Sequence, residues 1–318
     1  MNNLHLNKVL VTGGAGFIGS HLCKKLVEDG FSVICVDNLI TGSEKNIEEL
    51  KQNSNFQFVK ADIIQPFDQL IIQPINYVFH LASPASPIDY QNHPEETLLA
   101  NSIGTLNVLN LAKKGNAKFL MASTSEVYGD PKESPQKETY WGNVNSFGPR
   151  SNYDESKRFA ESATYVFLHK YNVDARIVRI FNTYGPNMQV NDGRVVSNFI
   201  NQGLSNEAIT IYGDGTQTRS FCYVDDLVDG LCKAMFTEST KGEVFNLGNP
   251  EEYSMNDLAN KIKEMTNSSS EIIYKDLPQD DPKQRRPDIE KAQTVLNWKP
   301  VVSVTEGLQK TIDYYRSL

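Results

Sequence analysis

Val9-Leu10-Val11-Thr12-Gly13-Gly14-Ala15-Gly16-Phe17-Ile18-Gly19 joins an apolar, β-branched run to glycines spaced G-x-x-G-x-x-G. Glycine at a strand-to-helix junction permits a tight turn and close backbone approach. A pyrophosphate can then rest on the free N–H groups and positive end of the helix that follows. Gly13, Gly16, Phe17, Ile18 and Gly19 are therefore the first candidate ligand contacts. Alone, the spacing also fits a plain βα turn, so its meaning depends on what surrounds it.

Outward from this loop, short β-branched or aromatic runs recur at Lys8 to Thr12, Phe31 to Val36, Phe56 to Lys60, Tyr77 to Leu81, Phe119 to Ser123 and Ala175 to Phe181. Between several of them, Ile18 to Glu28, Glu95 to Lys113 and Tyr153 to Tyr171 carry apolar residues at helical spacing. Buried strands alternating with amphipathic helices form a parallel sheet covered on both faces, and right-handed crossovers make it doubly wound. The expected class is α/β: a doubly wound parallel Rossmann sheet with a smaller, discontinuous α/β substrate lobe. The rhythm breaks at Asn182-Thr183-Tyr184-Gly185-Pro186-Asn187. A helix is expected near Val195 to Gly203, a strand at Ala208 to Tyr212, and further helices at Tyr223 to Met235, Ser254 to Met265 and Thr305 to Tyr315. Residues 1–181 are expected to form the cofactor domain, with 221–246 returning to it, and 182–220 with 247–318 the substrate lobe. Without an internal repeat or low-complexity linker, the two parts are expected to pack around a cleft.

The length of 318 residues suits two units at a prior of about 150 residues each. Lys and Arg total 31 against 39 Asp and Glu, a formal charge of −8. An acidic chain without a Lys/Arg block lacks the footprint of a nucleic-acid binder, although a few focused arginines can hold an anionic substrate. No apolar run approaches the ~18 residues that span a bilayer, and Met1-Asn2-Asn3-Leu4-His5 has no signal-peptide character. A cytoplasmic protein without a nucleic-acid or membrane partner is expected. Cys23, Cys35, Cys222 and Cys232 sit singly in apolar stretches without C-x-x-C spacing, which predicts reduced core residues and neither disulfides nor a metal.

Context sharpens the glycine loop. Asp37 closes the second strand, where a carboxylate accepts both hydroxyls of an adenosine ribose and repels a 2′-phosphate, so NAD is expected over NADP. Asp62, after the third strand, is placed to receive an adenine amino group, and Leu81 and Ser83, after the fourth, to line the next wall. Asn38, Thr41, Gly42 and Ile63 complete the candidate cofactor residues. His80 reads as a satisfied structural histidine, since no second His or Cys stands at metal spacing from it.

Downstream, Phe119-Leu120-Met121-Ala122-Ser123 runs into Thr124-Ser125-Glu126-Val127-Tyr128-Gly129, placing hydroxyls and one carboxylate at the sheet edge where such folds bind ligands. Tyr153 and Lys157 stand four apart, on one helix face. A phenol with a free pKa near 10 becomes a base when an ammonium and a positive nicotinamide favour its phenolate.

With these motifs combined, the chain resembles the extended short-chain dehydrogenase/reductase family of nucleotide-sugar enzymes from Lys8 nearly to the C-terminus. The wording is most similar to its UDP-glucuronate decarboxylase branch, through Ser83-Pro84-Ala85-Ser86-Pro87, Ser123 to Pro131, Tyr140-Trp141-Gly142, Gly148-Pro149-Arg150, Asn182-Thr183, Asn191 to Phe199 and Asn246 to Glu252. The resemblance implies Tyr153 as base on a sugar hydroxyl, Lys157 as its electrostatic partner and ribose ligand, and Thr124 as the hydroxyl holding the reacting oxygen. It implies conversion of UDP-glucuronate to UDP-xylose, with Glu126 near the departing carboxylate and Arg285, in Asp280-Asp281-Pro282-Lys283-Gln284-Arg285-Arg286-Pro287-Asp288, pairing with that carboxylate. By spacing alone Arg285 and Arg286 are loop charges.

Arg194 and Arg219 are candidates for the UDP diphosphate; Asn182, Val196 and Tyr212 complete the candidate substrate residues. A homodimer through two helices of the sheet domain is also implied. Ser156 stands where the resemblance expects glycine. The anchor of animal members of the branch has no counterpart here, so their Golgi residence is not expected. The alternatives are an oxidative decarboxylase releasing the 4-keto pentose and NADH, an epimerase, a 4,6-dehydratase (the family's usual Asp-Glu pair is here Ser125-Glu126), and a silent nucleotide-binding scaffold.

Overall fold

The computed structural model describes residues 7–71, 74–277 and 284–318; the Met1–His5 start and Asp280 to Lys283 of the Arg285 motif lie outside them. In β1 (Lys8–Thr12) Val9 and Val11 pack to one side of the sheet and Leu10 to the other, the alternation that buries a strand on both faces. α1 (Phe17–Glu28) follows the glycine turn, then β2 (Ser32–Asp37), β3 (Phe56–Lys60) and β4 (Tyr77–His80). Next come the short α2 (Pro87–Asn92) and α3 (Pro94–Leu99), a π-turn over Ala100–Gly104, α4 (Thr105–Gly115) and β5 (Lys118–Thr124). α5 (Ser151–Tyr171) and β6 (Ala175–Ile180) complete this part.

The helix expected over Glu95 to Lys113 is present, with α3, the π-turn and α4 following one another on continuously helical backbone, and α2 lies in a stretch that spacing left unassigned. Ser86 caps α2 through the Asp89 N–H, with Pro87 at its first position, which is favourable chemistry for a helix start. At the π-turn, the Asn101 amide reaches Ser83 at 2.9 Å and Ser156 at 3.1 Å, so Ser156 is tied into the packing.

The second part of the chain runs through β7 (Thr183–Tyr184), α6 (Val195–Leu204), β8 (Ile209–Tyr212), β9 (Thr218–Ser220), β10 (Cys222–Tyr223), α7 (Val224–Phe236), β11 (Val244–Leu247) and β12 (Glu252–Ser254). It ends with α8 (Met255–Thr266), β13 (Ile272–Lys275), β14 (Gln284–Arg285), α9 (Glu290–Leu296) and α10 (Val304–Arg316). The large sheet has seven parallel strands in the order β11-β6-β5-β4-β1-β2-β3, so β11, four residues without a strong strand signal, extends it beyond β6. One face packs Leu22, Leu26, Leu227 and Leu231; the other packs Val108, Leu109, Ala160 and Phe167. Smaller sheets pair β7 with β10, β8 with β13, and β9 with both β12 and β14. The β9–β14 pairing carries Arg285 back against the main sheet from far along the chain.

Candidate active site

Parallel strands all present their carboxyl ends to one side, and here those ends open into a single cavity of about 850 Å³. Its nucleotide wall is largely backbone. Gly13 turns at φ +74°, and a Cβ there would meet the Ala82 backbone at 2.7 Å; a Cβ at Gly19 would collide with the Gly13 carbonyl. The first helical bond of α1 runs from the Ser20 N–H to the Gly16 carbonyl, and no side chain caps the helix, so the Phe17, Ile18 and Gly19 N–H groups precede the hydrogen-bonded turns. The buried Asp37 carboxylate accepts from the Ala15 N–H at 3.0 Å and the Leu39 N–H at 2.8 Å, and retains lone pairs for a ligand. Asp62 is held by the Asn38 amide at 2.9 Å and the Ile64 N–H at 3.0 Å. An uncapped helix start, a turn that excludes side chains and a backbone-held acid at the second strand end fit a dinucleotide.

Behind this wall His80 is fully enclosed, with Thr12 at 2.8 Å and Thr105 at 3.0 Å on its two ring nitrogens. Burial first, and then the Lys157 charge, lower it to about 3, so it is neutral.

The chemical centre lies where β5 ends and α5 passes. Thr124 caps the turn after β5 through the Glu126 N–H at 3.2 Å, and its hydroxyl faces the Tyr153 phenol closely enough to oppose the effect of burial there. One turn on, Lys157 donates to the Ala122 carbonyl at 3.0 Å, with its ammonium 5.9 Å from the Tyr153 ring centre. Burial lowers Lys157 to about 7 and raises the Tyr153 phenol above its ordinary value, the latter opposed by Thr124. Tyr90 of α2 stacks flat on Tyr153, with ring centres 5.0 Å apart, and its hydroxyl is buried without a protein partner.

Beside Tyr153, Glu126 is held between two arginines: Arg150 donates to it at 2.6 Å, and Arg285 hydrogen-bonds its other oxygen. Arg285 also donates to the Gly129 carbonyl at 2.9 Å. Burial alone would raise Glu126, but Arg285 and Arg150 outweigh it and bring it to about 2. Glu126 is therefore an ionised carboxylate between the two guanidiniums. Asp154, next in the chain after Tyr153, is raised to about 7 by burial and by Glu126.

The structure brings the expected residues together. Gly13, Gly16, Phe17, Ile18, Gly19, Asp37, Asn38, Thr41, Asp62, Ile63, Leu81 and Ser83 line the cavity with Thr124, Glu126, Tyr153 and Lys157, and so do Asn182, Arg194, Val196, Tyr212, Arg219 and Arg285. Gly42 stands behind this lining, against the Asp37 carboxylate. Arg194 spans both walls: Asp192 holds it through two bonds of 2.5 and 2.6 Å, and its guanidinium lies 5.9 Å from the Phe17 ring centre. Arg286 points elsewhere, toward Glu252 at 3.5 Å, and is half exposed. Arg150 and Tyr90 were assigned no role from sequence. The Gly-Pro-Arg lead into α5 and the Ser-Pro start of α2 were the available signals, and neither reveals where its side chain ends.

The chain matches the NAD dependent epimerase/dehydratase family over residues 9–248. It is 51% identical over 309 residues to UDP-glucuronic acid decarboxylase 1 of Xenopus tropicalis, covering 97% of this chain and 72% of that protein. It is likewise 51% identical over 302 residues to UDP-glucuronic acid decarboxylase 5 of Arabidopsis thaliana, covering 95% and 87%. A UDP-glucuronic acid 4-epimerase from Bacillus cereus, solved with UDP-glucuronic acid and NAD, is similar at TM-score 0.90 and 33% identity, covering 98% of this chain and 99% of that one. The chain belongs to the NAD dependent epimerase/dehydratase family, in its UDP-glucuronic acid decarboxylase branch.

Proposed function

We propose that the protein converts UDP-glucuronate to UDP-xylose. The observation that carries this reading is the Glu126–Arg150–Arg285 cluster beside Tyr153 and Thr124. The two guanidiniums that converge there suit the single carboxylate of a uronic sugar, the group the reaction removes.

Bound NAD supplies hydride transfer at C4 of the sugar, out and back, so the overall reaction has no net redox change. Tyr153 takes the C4 hydroxyl proton, Thr124 holds that oxygen, and Lys157 favours the phenolate. A ketone at C4 makes the substrate a β-keto acid, whose carboxylate can leave as carbon dioxide with its electrons delocalised onto the C4 oxygen. Tyr153 and Thr124 then stabilise that oxygen by hydrogen bonding; C5 takes a proton from water where the carboxylate left, and return of the hydride to C4 and of the Tyr153 proton to its oxygen completes UDP-xylose. Arg285 and Arg150 orient the carboxylate before it leaves, and Glu126 fixes both guanidiniums while setting the local charge.

Arg194 and Arg219 serve the diphosphate, Asn182 and Val196 the sugar-nucleotide floor, and Tyr212 the uracil side. The division of labour follows the chain: residues 1–181 with 221–246 hold the cofactor, and 182–220 with 247–318 hold the sugar nucleotide. Support comes from the junction itself, where Arg194 meets Phe17 and β14 delivers Arg285 to the β5 edge.

A homodimer through α4 and α5 accounts for Phe159, Tyr165 and Val166 standing exposed on α5, with Leu98 and Ile103 exposed nearby. Among the described residues no helix is long and apolar enough to cross a membrane, and the four cysteines are buried free thiols, which suits the reducing cytoplasm. The test is to incubate the purified, NAD-loaded protein with UDP-glucuronate and follow the sugar nucleotide by NMR and NADH by absorbance. UDP-xylose without free NADH is expected; stoichiometric NADH with a 4-keto pentose would overturn the return of hydride.

A further inference from the structure

Tyr153, Lys157 and Glu161 succeed one another at intervals of four along α5, so they share one face of the helix. The first two belong to the reaction proposed above. Glu161 does not touch the cavity, yet its carboxylate is firmly held. The Ser123 hydroxyl donates to Oε1 at 2.6 Å, and Arg179 donates to Oε1 through Nε at 2.9 Å and to Oε2 through a terminal nitrogen at 2.8 Å. Arg179 is fixed in turn by the Tyr128 hydroxyl and the Glu138 carbonyl, both at 2.9 Å. Ser123 directly follows Ala122, whose carbonyl takes the Lys157 ammonium. Lys157 and Glu161 are therefore anchored to consecutive residues of β5.

This placement matters because Lys157 is only 3% exposed, and burial pulls its ammonium down toward neutrality. Of the titratable and charged groups around the pair, His80 on β4 is neutral, the Tyr153 phenol is raised by burial and keeps its proton until Lys157 and a bound nicotinamide favour the phenolate, and Arg179 on β6 is already spent on Glu161. Tyr128, raised by burial, and Glu138 lie beyond Arg179. The charge that opposes the loss of the Lys157 proton is Glu161. A fold-stabilising ion pair between Arg179 and Glu161 would need no alignment with the Tyr153 face.

We propose that Glu161 is a positioning residue: clamped by Ser123 and Arg179, it keeps the Lys157 ammonium charged one turn away and, through it, keeps Tyr153 competent as the base. This rests on the roles given to Tyr153 and Lys157 under the proposed function.

The test uses NAD-loaded protein carrying [13Cε]lysine, with the Lys157 resonance assigned from K157M and followed by NMR against pH. In E161Q the Lys157 midpoint is expected to fall by about one unit or more, and in E161D to stay within a few tenths of the wild type. In parallel, kcat at pH 7 drops about tenfold in E161Q and recovers in E161D, while KM for the sugar nucleotide moves less than twofold. If E161Q does not fold, the charge-balanced pair E161Q/R179M replaces it, with the same lowered midpoint expected. An unchanged Lys157 midpoint in folded E161Q or in the pair overturns the proposal. The titration needs no turnover, so a wild-type protein that leaves UDP-glucuronate intact would refute the functional reading separately.

Discussion

The two walls of the cavity are built from different materials. On the wall proposed to hold the nucleotide, the groups on offer are backbone N–H groups of one short loop, and the acid that faces them, Asp37, is itself held by the backbone of Ala15 and Leu39. On the wall proposed to hold the sugar, the groups on offer are side chains from widely separated segments: Tyr90 on α2, Glu126 after β5, Arg150 before α5 and Arg285 on β14. A wall made of backbone tolerates the loss of one side chain and changes mainly in what it selects. A wall of interlocked charges loses its function when one member goes, because the partner left behind is buried and unpaired.

Four substitutions sharpen or break that contrast, in order of expected effect. Tyr153→Phe removes the group that both walls converge on; kcat is expected to fall about a thousandfold with the circular dichroism spectrum unchanged, and near-normal turnover would remove Tyr153 as the base. Arg285→Ala leaves Glu126 with Arg150 alone. It should cost about a hundredfold in kcat/KM for UDP-glucuronate while the affinity for UDP-xylose changes less than threefold. Equal losses for both nucleotides would argue against a carboxylate contact.

Asp37→Ser is the counterpart on the nucleotide wall. Turnover at saturating NAD should hold, while the ratio of NAD to NADP affinities, measured by titration, falls about tenfold. A collapse in kcat as severe as that of Arg285→Ala would contradict the distinction between the walls.

The smallest effect is expected at Asp154, whose proton is held up to about 7 by burial and by Glu126, against an ordinary value of 3.8. Its folded form favours the proton, so its contribution is fully present below 3.8 and is lost as pH rises through 7. Asp154→Asn is therefore expected to raise Tm by a few degrees at pH 8, on the order of 1 kcal/mol, and to leave it unchanged at pH 4. A gain of the same size at both pH values would trace the effect to packing rather than charge.

The same difference in materials explains what the sequence disclosed. The glycine loop, Asp37 and the Tyr153–Lys157 pair are local: their spacing along the chain is their spacing in the fold, through one turn or one helix face. The first six strands are legible as β-branched or aromatic runs, whereas β11 is not, because Val244–Leu247 is four residues long and gains its place only by pairing with β6. The π-turn inside the helix over Glu95 to Lys113 also escapes periodicity; it is where Asn101 meets Ser83 and Ser156 across the fold. Arg285 entered through resemblance to known enzymes, and spacing gave no reason to prefer it to Arg286. The pairing of β14 with β9 supplies that reason by turning one arginine into the cavity and the other toward Glu252. Arg150 had no periodic signal, because it lies just before α5 and acts through a carboxylate 24 residues earlier.

The central claim is that a ketone formed at C4 releases the neighbouring carboxyl group held by Arg285 and Arg150. The most direct measurement is to give the NAD-loaded protein UDP-glucuronate labelled with 13C at C6 and locate the label by NMR. The label is expected as 13C bicarbonate and carbon dioxide, formed in step with unlabelled UDP-xylose. Label retained in a sugar nucleotide, as in a 4-epimerised uronate, would contradict it.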